Sequence, residues 1–149
     1  MHISELTLGE VTYTHQDPDT GEFRTFAVQR IIDWIKENNI QKFAIPVDKE
    51  FASFIEKNRG IESHRLLRIL FEAETALLVP IVIVELPDRE HGVSHLIIDG
   101  NHRYLIAAKI DAPSIPGHVV KLEQIKQFLV EDVPVDLAER ALGGFSGIE

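Results

Sequence analysis

Alternation of strand-like and helix-like apolar patterns predicts an α/β (α+β) protein, a small mixed sheet flanked by helices. Three observations predict it. Pro80-Ile81-Val82-Ile83-Val84-Glu85-Leu86 is β-branched and apolar on both faces, the pattern of a central strand covered on both sides. On either side of it, apolar residues recur at helical spacing in the segments after Phe26, Asp48, Ser63 and Tyr104. A chain of 149 residues with 44% hydrophobic and 26% charged residues has the size and composition of a single soluble core.

Each element follows from local chemistry. Ile3, Leu6, Leu8 and Val11 stand among polar residues and predict a short strand from Ile3 to Val11. The turn formers from His15 to Gly21 predict an exposed loop between paired strands. From Phe26 to Asn38, Val28, Ile31, Ile32 and Ile35 mark a first helix that Asn38-Asn39 stops, and Trp34 beside that stripe reads as core. Phe43 to Val47 predicts a strand. Asp48 then caps a second helix through Phe51, Phe54 and Ile55, with Gly60 as its C-terminal cap glycine.

Ser63 precedes a third helix of about four turns, through Leu66, Leu67, Leu70 and Ala73 to Leu77, ended by Pro80. The turn from Pro87 to Gly92 leads into Val93 to Ile98, which pairs with the central strand. Asp99-Gly100-Asn101 breaks that strand, and Tyr104 to Ile110 is helical until Asp111-Ala112-Pro113. Ser114 to Val120 is a strand, Glu123 to Leu129 a last helix, and Gly143 to Gly147 a frayed tail.

Composition excludes several kinds of chemistry. The absence of cysteine removes disulfides, thiol nucleophiles and Cys-based zinc sites. The longest apolar run, Ala76 to Val84, contains Pro80 and falls short of the roughly 20 residues of a bilayer span, so no membrane segment is expected. Met1-His2-Ile3-Ser4-Glu5 lacks the basic start and apolar run of a signal peptide, which makes the cytoplasm the expected location. A net charge of -9 repels a nucleic-acid backbone. A few Arg and helix N-terminal amides can still hold one phosphate group against that mean field.

The informative stretch is Leu96-Ile97-Ile98-Asp99-Gly100-Asn101-His102-Arg103-Tyr104. A buried strand ends, Gly100 permits a positive-φ turn, and a helix starts with His102 and Arg103 in its first turn. Unpaired amides, the positive end of the helix and a forked guanidinium then converge on one spot, a cradle for phosphate. Arg103 there opposes the helix dipole and so requires an anionic partner. Asn101 is placed to cap the helix. Asp99, at the strand end, is placed to orient His102 or Arg103, to bind Mg²⁺, or to act as a base.

Taken in order, Pro80-Ile81-Val82-Ile83-Val84, a short turn, Ile97-Ile98-Asp99-Gly100-Asn101-His102-Arg103-Tyr104-Leu105-Ile106-Ala107-Ala108 and a Pro-containing strand resemble the ParB/sulfiredoxin superfamily. Its signature is a strand ending in Asp-Gly-His-His-Arg or a variant, then an Ala-containing helix. The resemblance spans Pro80 to Val120. It implies a ParB/sulfiredoxin-like single domain over residues 1–149, with a core at 61–130 and a family-variable part at 1–60.

It also implies binding of ATP or CTP with Mg²⁺, and NTP hydrolysis or phosphoryl transfer. In that scheme His102 and Arg103 hold phosphate oxygens, Gly100 lets the backbone approach and Asn101 completes the cradle. Asp99 holds Mg²⁺ or positions the acceptor, and Asp99 and His102 are the catalytic candidates. Sulfiredoxin chemistry is not expected, because Asn101 occupies the position of that branch's catalytic Cys. The serine-kinase-like branch opens the helix before the Pro-Ile strand with a His-Glu pair. Here that place reads Glu62-Ser63-His64-Arg65, so His64 matches and Arg65 replaces the carboxylate. Two alternatives stand beside nucleotide binding: a DNA-binding or nuclease-like accessory protein, and a non-catalytic interaction module with a protein partner.

Two further expectations concern neighbouring residues. Arg65 and Arg68, three apart on one helix face, reach the same anion as Arg103 if that helix packs beside the loop. His91 and His95 lie on a strand, where residues four apart are about 13 Å distant, so they are not a zinc pair. Asp99, His102 and His95 are then the convergent metal candidates, His95 and Asp99 by shared strand parity.

Overall fold

The computed structural model describes residues 3, 6–17, 21–87 and 95–130. In chain order the elements are β1 (Thr12–Gln16), β2 (Phe23–Ala27), α1 (Val28–Glu37), β3 (Phe43–Pro46), α2 (Lys49–Asn58), α3 (Ser63–Phe71) and α4 (Ala73–Ala76). There follow β4 (Ile81–Glu85), β5 (His95–Asp99), α5 (Asn101–Lys109), β6 (Ser114–Lys121) and α6 (Leu122–Ile125), which runs into a 3-10 turn at Lys126–Phe128. The architecture is α+β. β1 and β2 form an antiparallel hairpin, and the main sheet has the order β3-β6-β4-β5.

β6 runs parallel to β4, while β3 and β5 are antiparallel to their neighbours, so the sheet is mixed. β4 sits inside it, which explains why Ile81 to Val84 are all buried. Val82, Val84, Leu96 and Ile98 pack on one face with Phe26, Ile31 and Ile35 from the hairpin and α1. Ile81, Ile83 and Ile97 pack on the other with Ala52 and Ile55 of α2 and Leu105 of α5. Each such side chain contributes about 1.5–3 kcal/mol on burial, so β4 ties the two layers together.

Several boundaries differ from the sequence reading, for local reasons. The strand expected from Ile3 to Val11 lies one step later, at Thr12–Gln16, because Gly9 turns with φ +79° and Glu10 N–H donates to Thr7 O. Ile3 keeps only a single bridge, to Val130. Asp48 caps α2 as expected, accepting from the amides of Glu50 and Phe51. Gly60 is not the left-handed cap, since α2 ends on Arg59 in extended conformation (φ -113°, ψ 159°).

The third helix is interrupted at Glu72 (φ -111°, ψ 23°), which separates α3 from α4, and α3 buries none of its residues fully. The last helix is only α6 and its 3-10 turn. Among the described residues no helix is long and apolar enough to cross a membrane. The turn over residues 88–92 and the tail at 143–147 lie outside the described residues.

One irregularity re-aims the end of β5. Val82 pairs with Asp99 but Ile83 pairs with Ile97, so Ile98 is an extra residue in the ladder. An inserted residue moves everything beyond it to the opposite face. His95 therefore stays with Ile97 and Tyr104, whereas Asp99 joins Ile98 and Val28 on the other side. The expected shared parity of His95 and Asp99 is corrected by this bulge, and His95 leaves the candidate site.

Candidate functional site

Gly100 sets the geometry. It holds φ +106°, ψ 19° between β5 and α5, and a Cβ placed on it would lie 2.4 Å from Ile81 Cγ2. Both the left-handed backbone and the contact with β4 thus require glycine. Its carbonyl accepts the first bond of α5, from Tyr104 N–H at 2.9 Å. The amides of Asn101, His102 and Arg103 precede that bond and face outward from the helix start. Gly100 itself caps α5, and no side chain does.

Asn101 is accordingly not the cap that its position suggested. It is buried, and its Nδ2 reaches back to Ile97 O at 3.2 Å, because the turn at Gly100 swings its side chain under the strand end. Oδ1 is left buried without a hydrogen-bond partner. As an acceptor it suits a hydroxyl or water rather than a phosphate oxygen, so the phosphate contact of Asn101 falls to its amide.

Arg103 finds its required anion inside the protein. Nη2 lies 3.2 Å from Asp99 Oδ2 and donates to Pro80 O at 3.2 Å, which clips α5 to the end of β5 and the entrance of β4. Asp99 Oδ1 makes no hydrogen bond among the described residues, and Asp99 lines the cleft beside the loop. With Oδ2 on Arg103, Asp99 offers its other carboxylate oxygen to Mg²⁺, which takes few protein ligands when phosphates supply the rest. Among the described residues no three His, Asp or Glu groups gather as a ready-made metal site.

His102 is committed as an acceptor. The Glu62 backbone N–H, at the N-cap of α3, donates to its Nε2 at 3.0 Å. Burial first, and then the Arg65 charge, hold its pKa below the ordinary histidine value, and accepting at Nε2 requires a neutral ring with its proton on Nδ1. This bond joins the start of α5 to the start of α3, and the positive ends of both helices meet there.

The cleft between them holds about 180 Å³. Its walls are Asp99, Gly100, Asn101 and His102 on one side, the Arg59-Gly60-Ile61 turn and Arg65 on another, and Tyr13 and Val28 across from them. Arg65 reaches Glu62 Oε1 at 3.4 Å. Arg59 has no carboxylate partner among the described residues. Its Nη1 donates to Tyr13 Oη, its guanidinium lies 5.9 Å from the Tyr13 ring centre and 5.6 Å from that of Phe54, and Nε is buried without a partner. A buried donor that lacks an acceptor is costly and invites an oxygen ligand.

Of the expected residues, Asp99, Gly100, Asn101, His102 and Arg65 line this cleft. Arg103 stands behind it as a clip. His64, 4.0 Å from Glu62 Oε2, and Arg68 are exposed on α3 and do not line it. Arg59 and Tyr13 were not foreseen. They belong to the part before residue 61, where no motif marks them, and only the packing of the hairpin on α2 brings them in.

The chain matches no family model, no curated protein and no solved structure.

Proposed function

We propose that the chain binds a nucleoside triphosphate, ATP or CTP, with its phosphates in the cleft between α3 and α5. The carrying observation is the convergence of Arg59, which has no carboxylate partner among the described residues, with Arg65 and the amides that precede the first bond of α5. Such a set supplies forked donors and oriented dipoles for oxygens at one point, in a protein whose net charge of -9 otherwise repels phosphate. The likeness of the Asp99 to Ala108 stretch to the ParB/sulfiredoxin signature supports the same reading.

Each residue has a role in this scheme. Arg59 and Arg65 take phosphate oxygens, and the amides of Asn101 and His102 complete the cradle. Asp99 takes Mg²⁺ that arrives with the nucleotide, where it offsets phosphate charge. Arg103 holds the loop in shape rather than touching the ligand. Among the described residues the two catalytic candidates are both engaged, His102 through Nε2 and Asp99 through its pairing with Arg103, which supports binding with slow turnover or none.

Calorimetric titration of ATP and CTP with Mg²⁺ tests the proposal. Saturable binding that weakens by about tenfold or more in Arg59→Ala is expected, the loss of one charge-assisted contact. Absence of binding at millimolar nucleotide, or equal binding by the variant, overturns it. Phosphate release measured alongside separates turnover from binding alone.

A further inference from the structure

Among the described residues, one edge of β1 has no partner. At the two ends of the hairpin ladder Asp17 N–H donates to Glu22 O at 2.7 Å and Val28 N–H to Val11 O at 3.2 Å, and the register between them pairs Tyr13 with Phe26 and His15 with Arg24. Bonded pairs alternate along an antiparallel ladder, so Val11, Tyr13, His15 and Asp17 face the β2 side while Thr12, Thr14 and Gln16 turn their N–H and C=O groups outward. Among the described residues no strand takes those groups, since β1 pairs with β2 alone.

That edge faces a cleft rather than open solvent. Four consecutive residues of β1, Tyr13 to Gln16, line a space of about 360 Å³, with Phe54, Asn58 and Arg59 from the end of α2 opposite. Successive side chains point to opposite faces of a strand, so a space touched by four in a row lies along the strand's edge. At the Tyr13 end Arg59 reaches across: Nη1 donates to Tyr13 Oη, and the guanidinium lies 5.6 Å from the Phe54 ring centre. Its Nε is buried without a partner. The cleft is thus a channel with backbone donors and acceptors along one wall and a cation at its closed end.

We infer that this channel binds the C-terminal end of an extended peptide, which adds to β1 as a third, antiparallel strand and sets its terminal carboxylate on Arg59. The direction follows from the placement of the cation. β1 runs from the Arg59 end toward Gln16, so a segment that enters at Gln16 and stops with its carboxylate at Arg59 lies antiparallel to it. The N–H and C=O groups of that segment meet those of Thr14 and Gln16, and its alternate side chains fall against the Phe54 and Tyr13 rings. A buried donor at the closed end calls for an anion, and the carboxylate of a chain end is one that a peptide of any sequence brings. The volume admits a single strand and not the hairpin of a second copy. Peptide addition needs none of the α5 amides, so it does not rest on the phosphate proposal, and the two ligands exclude each other at Arg59.

The test selects a phage-displayed library of random peptides with free C-termini on the full chain. The enriched sequence is then synthesised as the free acid, as the C-terminal amide, and as a series N-methylated at each backbone position in turn. Fluorescence polarisation is expected to show saturable binding of the free acid with a dissociation constant below about 100 μM. Amidation weakens it about tenfold, the loss of a charge-assisted contact. N-methylation weakens it about fivefold at alternate positions, those that face β1. In Arg59→Ala the free acid falls to the affinity of the amide. Enrichment of no peptide overturns the inference, as does an amide that binds as tightly as the acid or a series in which no N-methyl group weakens binding. The acid, amide and N-methyl comparisons change the ligand alone, so they decide the matter even where the variant fails to fold.

Discussion

His102 and Gly100 carry the geometry of the site by opposite means, one through a hydrogen bond and the other through the absence of a side chain. The Glu62 N–H to His102 Nε2 bond exists only while the imidazole is neutral. Its pKa is lowered in the folded chain, mainly by burial, so between about pH 6.5 and that lower value the unfolded state binds more protons than the folded one. Stability is therefore full above about pH 6.5 and falls as pH drops through this window. His15, lowered chiefly by burial and next by Arg59, acts in the same direction. Urea unfolding across pH 5 to 7.5 is expected to show that slope, reduced in His102→Gln, with about 1 kcal/mol lost at pH 7.5 in His102→Ala. Gly100→Ala meets both a left-handed φ of +106° and Ile81 Cγ2 at 2.4 Å. It is expected to cost about 3 kcal/mol in urea unfolding, more than either effect alone.

Elements differ in how far they were written in the sequence. β4, β5, α5 and β6 were legible because their patterns are local: β-branched runs for buried strands, a glycine break, and a helix start. α1 and α2 were legible to within a residue or two at their ends, since stripe and cap coincide at Asp48. The bulge at Ile98 was not, because it depends on how β5 meets β4, and it decided which face Asp99 takes. Nor was the clip role of Arg103 visible, since its anion, Asp99, and Pro80 O converge only in three dimensions. α3 shows a helical apolar pattern that the fold leaves in solvent, with Phe71 87% exposed and Leu67 55% exposed. Leu67→Ala is accordingly expected to change urea stability by less than about 0.5 kcal/mol, whereas Ile55→Ala, in the fully buried face of α2, costs about 3 kcal/mol.

At the scale of the whole molecule, β4 is packed on both faces and the hairpin is closed by Leu129 and Val130, through the Phe26 to Leu129 bridge and Val130 N–H to Thr25 O at 2.8 Å. One continuous structure of this kind unfolds together. Fluorescence of the single Trp, Trp34, which packs against one face of the sheet, and far-ultraviolet circular dichroism are expected to report one midpoint. Separated midpoints would mean that the hairpin layer and the sheet melt apart.

The same assembly brings Arg59 from the end of α2 and Arg65 from α3 onto the loop that opens α5, where the central claim of a phosphate cleft lies. The most direct measurement is an amide chemical-shift titration with Mg²⁺ and ATP or CTP, using the wild-type protein and Arg59→Ala. Saturable shifts clustered at Gly60, Ile61 and Gly100 to Arg103, and weakened in the variant, are the predicted result. Shifts that are absent at millimolar nucleotide, or that cluster away from the start of α5, would contradict it.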